Sequence, residues 1–210
     1  MPSSAVSLGR LAFGLVIAGE AMLLGMTVAA GARYPGYDHT RQYISELGAT
    51  GAADGWAVSW IGFLAVGALT LGFCLIAAWL MRRSIPGVIG WLLMGVNAYA
   101  YLNSAWYRCD FGCAGDSPAQ TMHNLFGALG YLAGCLGLLL AGLSAKGARW
   151  LTVLGVVCAA LAFLGLSGMG EGSEFRGLFQ RIAESAFGVF MLAFGWTLAN
   201  GRTGEAAVRP

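Results

Sequence analysis

Charge is what this chain has least of. Only 10% of its 210 residues are Asp, Glu, Lys or Arg, against about a quarter in soluble domains. That excludes a water-soluble fold that hides its apolar surface in one core. The net charge is +2 and its carriers are dispersed, so no basic patch exists to bind nucleic acid. Histidine is scarce as well. His39 and His123 are the only two, too few for paired haem ligation across a bundle. No HExxH, GxSxG, nucleotide-binding loop or CxxCH occurs, which removes several classes of metalloprotease, hydrolase and haem protein. Alternating apolar–polar strands are missing, and with them an outer-membrane barrel. There is no internal repeat, low-complexity tract or linker, so the expectation is one domain over residues 1–210. A repeat-built carrier is disfavoured for the same reason.

What is present is hydrocarbon. Hydrophobic residues make up 58% of the chain, mean hydropathy is +0.69, and there are 33 glycines, which suit close helix packing in a bilayer. Six apolar runs reach the roughly 20 residues needed to cross a membrane as a helix. They are residues 11–31, 56–80, 86–107, 121–143, 150–169 and 179–200. The first has full spanning length rather than the shorter core of a cleaved signal peptide. The expected fold is therefore all-α: an integral bundle of six transmembrane helices.

Lys and Arg set the expected orientation. With both termini in the cytoplasm, the inner segments hold Arg10, Arg82, Arg83, Lys146, Arg149, Arg202 and Arg209, and the outer ones Arg33, Arg41, Arg108, Arg176 and Arg181. The inner loops "MRRSIP" and "SAKGAR" are short and basic, where the positive-inside rule acts best. The predicted location is the cell inner (plasma) membrane, N-in and C-in. Most acids (Asp38, Glu46, Asp54, Asp110, Asp116, Glu171, Glu174 and Glu184) fall on or near the outer side, Glu205 inside. The tail "GRTGEAAVRP" reads as frayed.

Polar chemistry gathers in three outer connections. In "DHTRQYISELGATG", Asp38 or Thr40 caps a short interfacial helix that Gly48 ends. Tyr43, Ile44 and Leu47 share its apolar face, and Arg41, Ser45 and Glu46 are held over the helix ends. A solvated loop is the plainer alternative. In "CDFGC", Cys109 and Cys113 are expected to form a disulfide rather than stay free thiols, because thiols oxidise outside the cytoplasm; zinc is the minor option, because no second cysteine pair lies on that face. Asp110 lies between them and is placed to orient His123 at the start of the fourth span, an arrangement that recurs in acid–base and metal sites. In "GLFQRIAES", Gln180, Arg181 and Glu184 occupy the first turns of the last span. Arg181 either snorkels to headgroups, clamps an anion, or pairs with Glu184 at i, i+3. Glu20 stands in mid-span, where a carboxylate costs roughly 2.5 kcal/mol or more. It reads as a functional group facing the bundle, or as a proton-bearing partner of Asn97, Ser59 or Tyr99.

At "YISELGATGAADGW", "CDFGC", "MHNLFGALGYLAG" and "GLFQRIAE" the chain resembles bacterial multi-pass membrane proteins grouped as domain of unknown function 998. By that match Ser45, Glu46, Asp110, His123, Gln180 and Arg181 occupy the family's motif positions, and no activity comes with the resemblance. "ISELG" before a span also looks, more distantly, like the DRAM/Sfk1-type membrane proteins.

Two functions are carried forward. The first is a site at the outer leaflet that binds or modifies a lipid headgroup. There Glu46, Asp110 and His123 are the catalytic candidates, Ser45, Gln180, Arg181, Glu184 and Glu20 the ligand-binding ones, and His39, Glu46, Asp110 and His123 the donors for zinc or manganese. The second is a non-enzymatic accessory subunit, sensor or scaffold in which the polar cluster is structural. Membrane lipid is the expected partner, with a membrane-protein partner or a second copy of the chain besides.

Overall fold

A computed structural model describes residues 3–145, 148–170 and 172–201. Lys146, Glu171, Arg202, Glu205 and Arg209, read above for charge, lie outside the described residues. So does the tail beyond Gly201.

The chain is all-helical, with six helices long and apolar enough to cross a membrane. They are α1 (Ser3–Arg33), α2 (Gly55–Leu80), α3 (Ile85–Trp106), α4 (Pro118–Leu143), α5 (Arg149–Gly168) and α6 (Arg176–Ala199). Helix starts follow local chemistry. The hydroxyl of Ser84 accepts from Gly87 N–H and that of Ser117 from Gln120 N–H, with proline in the first turn of each helix. A side-chain cap followed by proline satisfies or removes the otherwise orphaned N–H groups. The first helix starts several residues before its apolar run, at Ser3. Arg10 interrupts hydropathy there but not helicity, because its side chain is exposed.

Each helix packs on its neighbour in chain order, and α6 returns to α1. The six thus close a ring. Two crossings depend on missing side chains. A Cβ on Gly90 of α3 would stand 2.6 Å from the backbone nitrogen of Ala141 in α4, and one on Gly142 would stand 2.9 Å from Cα of Gly155 in α5. Towards the end of the ring away from the long loops, the interior is aromatic. Trp91 packs on Phe194 at 4.6 Å and edge-on to Phe73 at 5.1 Å, with Phe187 and Phe190 beside them. Large apolar side chains such as Leu24, Val153 and Phe163 point outward. Such a surface is stable only against lipid. The protein is therefore a multi-pass membrane protein.

Residues 34–54 fold across one end of this ring. The expected helix from Asp38 or Thr40 is shortened to one 3-10 turn, Ile44–Gly48. Its residues Ile44, Glu46 and Leu47 are buried against the bundle. A longer helix is precluded by competition for the backbone just before it. The carbonyl of Thr40 accepts from Leu178 N–H and that of Gln42 from Arg181, while Ile44 N–H donates to the Gln180 side chain at 2.6 Å. The turn is also tied to α2 and to the segment after α3. Ser59, inside a π-helical stretch at Val58–Phe63, donates its hydroxyl to the carbonyl of Gly48 at 2.8 Å, and Arg108 donates to the carbonyls of Gly48 and Ala49 at 2.9 and 2.7 Å.

Candidate functional site

Glu46 is 1% exposed and fully engaged. Its carboxylate accepts from the backbone N–H of Tyr43 and from Gln42 Nε2, both at 3.0 Å, and pairs with Arg176 at 3.2 Å. The Arg176 guanidinium also lies over the Tyr43 ring, whose hydroxyl donates to the carbonyl of Met169. Glu46 thus locks the loop to α6. Among the described residues it touches neither His39, Asp110 nor His123.

Asp110 is likewise spent. Its carboxylate accepts from the Ser117 hydroxyl at 2.8 Å and from Ser117 N–H at 3.1 Å, and its own N–H donates to Gln120 Oε1 at 2.9 Å. It orders the entrance of α4 and does not orient His123, as the sequence had suggested. The partner of His123 is the carbonyl of Tyr107, 2.9 Å from Nδ1. A carbonyl only accepts, so Nδ1 carries the hydrogen and Nε2 keeps its lone pair. Cys109 and Cys113 are joined by the expected disulfide, with Cα atoms 5.0 Å apart. The Ser45 hydroxyl lies 3.4 Å from Cys113 Sγ.

The proposed metal set of His39, Glu46, Asp110 and His123 is therefore dispersed. Among the described residues, the one group of three or more His, Cys, Asp or Glu with converging donor atoms is Cys109, Cys113 and His123.

Arg181 has different company. It donates to the carbonyls of Gln42 and Gly177, both at 2.9 Å, to the Tyr37 hydroxyl at 2.8 Å, and it meets His39 Nδ1 at 3.0 Å. It does not pair with Glu184. Among the described residues no carboxylate lies within ion-pairing distance of it. His39 is held below its ordinary pKa, first by partial burial and then by the Arg181 charge, against a smaller opposing pull from Asp38. A neutral imidazole is what lets Nδ1 accept from the guanidinium. Tyr37 is raised by burial, with Arg181 opposing. Asp38 is lowered by hydrogen bonds from the Thr40 hydroxyl and N–H.

Arg181 and His39 stand at the head of a groove of about 500 Å³ between α1 and α6. Leu23, Leu24, Val28, Val189 and Leu192 form most of its wall. Glu20 lies deeper in it, its carboxylate against the backbone of α6: a Cβ on Gly188 would stand 2.5 Å from Oε2. Among the described residues none of Ser59, Asn97 and Tyr99 hydrogen-bonds it; Ser59 is committed to Gly48. Thr27 is 7% exposed, lines the same groove, and its hydroxyl has no hydrogen-bond partner among the described residues.

Behind the groove is a second cavity, of about 60 Å³, lined by Ser45, Tyr101, His123, Tyr131 and Gln180. Ile44 and Glu184 border both spaces and form their common wall. The Tyr131 hydroxyl donates to the Glu184 carboxylate.

Of the residues marked from sequence, two constellations therefore form. Arg181, His39, Glu184 and Glu20 share the groove, while Ser45, His123, Gln180 and Glu184 share the small cavity. Thr27, Tyr37, Tyr131 and Arg176 went unmarked. Residues 20, 24, 27 and 28 do fall on one helical face, as do 181, 185, 188 and 192. That spacing was a readable sign of groove-lining residues.

No curated protein and no solved structure matches the chain. The "ISELG" likeness to DRAM/Sfk1-type proteins gains no support from these comparisons. The sequence model of the family described as "Protein of unknown function (DUF998)" matches residues 16–200, and the chain belongs to that family.

Proposed function

We propose that this protein binds a membrane lipid with an anionic head, seating the head at Arg181 and His39 and the hydrocarbon in the groove between α1 and α6. The observation that carries this reading is the Arg181 guanidinium, which heads a largely apolar groove and has no carboxylate within ion-pairing distance among the described residues, Glu184 and Glu20 lining the groove further on. A fixed cation at the end of such a groove favours a phosphate-type anion by its charge; the Arg181 Nη1 and Nη2 donors are given to Gln42, Gly177, Tyr37 and His39, which hold the guanidinium in place. The volume suits one small ligand or one extended chain. Thr27 offers its free hydroxyl to polar atoms of the ligand part-way down. With both termini cytoplasmic, as the basic inner loops imply, the head end opens to the outer leaflet of the plasma membrane.

We assign binding rather than turnover. Glu46 and Asp110, two of the three catalytic candidates, are engaged by structural hydrogen bonds, and neither lines the groove. The same fact supports the scaffold reading for the loop, which holds His39 and Ile44 in the groove wall whatever the ligand does next.

The test is native mass spectrometry of the purified protein with lipid extraction. Wild type should retain an anionic lipid. Ser185→Trp, an exposed groove position, should exclude it while the protein melts normally. Arg181→Gln should shift retention toward uncharged lipids. Equal lipid content and identity in all three proteins would refute the assignment.

A further inference from the structure

We propose that Cys109, Cys113 and His123 form a redox-gated metal site: when the disulfide is reduced, the two thiolates and the imidazole hold one borderline-soft divalent cation of the zinc class. This site is independent of the lipid groove.

Three observations carry the assignment. First, donor atoms of all three residues lie within 4.8 Å of one another. Ligands about 2.0–2.3 Å from a common zinc ion sit roughly 3.5–3.8 Å apart, so small side-chain shifts complete the set once the sulfurs are no longer bonded to each other. Second, the His123 ring is already oriented by a backbone contact. Its Nδ1–H is held by the Tyr107 carbonyl at 2.9 Å, the outer contact that sets ring orientation and leaves Nε2 basic in metal-binding histidines. Third, the surroundings suit thiolates and a fourth ligand. The Ser45 hydroxyl, 3.4 Å from Cys113 Sγ, is placed to donate to a thiolate. His123 and Ser45 border the 60 Å³ cavity, which has room for a water molecule. Two sulfurs, one imidazole nitrogen and an open position form a zinc ligand pattern; sulfur donors disfavour manganese, magnesium and calcium.

The chemistry balances simply. A dithiol or phosphine reductant supplies two electrons, the S–S bond takes up two protons, and two thiols result. The cation then displaces one proton from each thiol and takes the Nε2 lone pair. A small-molecule disulfide that takes the two electrons by thiol–disulfide exchange re-forms the S–S bond, is itself reduced to two thiols and releases the metal, so disulfide and metal exclude each other.

The probe is Co(II), added to the intact detergent-solubilised protein with and without a phosphine reductant. Reduced wild type should bind one Co(II) per chain and show a thiolate-to-cobalt charge-transfer band, which Zn(II) abolishes by displacement. The oxidised protein should show none. His123→Gln should keep thiolate absorption but lose at least about tenfold in affinity, since even outer-contact losses cost that much. A Cys109→Ser/Cys113→Ser variant should lose the band, leaving Cys74, Cys135 and Cys158 as the silent background. Absence of the band in reduced wild type overturns the proposal, as does its survival in the double-serine variant. Unchanged affinity in His123→Gln also overturns it. Reduction and metal are applied to the wild-type chain, so a variant that fails to fold does not remove the test.

Discussion

Removing the side chain of Glu46 should detach the polar loop from α6. In Glu46→Ala three contacts disappear together: the Tyr43 N–H and Gln42 Nε2 bonds at 3.0 Å and the Arg176 pair at 3.2 Å. Hydrogen bonds to a charged group contribute roughly 1.5–3 kcal/mol each, which summed would exceed 4 kcal/mol. That sum needs discounting, because the Arg176 side chain is 25% exposed and water replaces part of what it loses. About 3 kcal/mol remains, at the lower edge of the 3–5 kcal/mol typical for breaking a buried pair. For a chain of this size 1 kcal/mol moves Tm by roughly 2–4 °C, so a fall of about 6–12 °C is expected. Thermal melting in detergent, followed by circular dichroism, reads this directly. A double-mutant cycle isolates the pair: Arg176→Ala should be costly in wild type and nearly silent in Glu46→Ala. Should Glu46→Ala melt within about 2 °C of wild type, the lock is not what holds the loop. Full additivity of the two substitutions would equally refute a direct coupling.

Three further outcomes are expected. Because partial burial and the Arg181 charge hold the His39 pKa below its usual value, lowering the pH below about 6.5 adds a positive charge beside Arg181. Affinity for a phosphodiester lipid, whose own charge is fixed in this range, should then rise by at most about tenfold per pH unit, and His39→Gln should flatten the profile in a vesicle-binding assay. Gly90→Val should lower Tm more than any surface change, by at least about 3 kcal/mol equivalent, because its side chain has the Ala141 backbone 2.6 Å away and nowhere to move. A reporter that fluoresces only in the cytoplasm should be bright when fused to the carboxyl terminus and dark when inserted after Gly51; the reverse pattern would invert the orientation assigned to the groove.

Hydrocarbon made six crossings legible without coordinates. Runs of about 20 apolar residues have few alternatives in a bilayer. The polar residues were legible as a set too, since a chain this poor in charge makes every buried ionisable group conspicuous: Glu20, Glu184 and Arg181 stood out for that reason alone. Partnership was not legible. Ser117 and His123 both follow Asp110 within fourteen residues, and only the path of the chain chose Ser117 over His123. Arg176 was passed over because its mate is 130 residues away. The groove exists because α6 returns to α1 and closes the ring, bringing Glu20 to the face of Gly188 and His39 to Arg181. Helical periodicity reports which residues share a face of one helix. Which faces then meet is decided by where side chains are small enough, as at Gly90 and Gly142, for two backbones to touch.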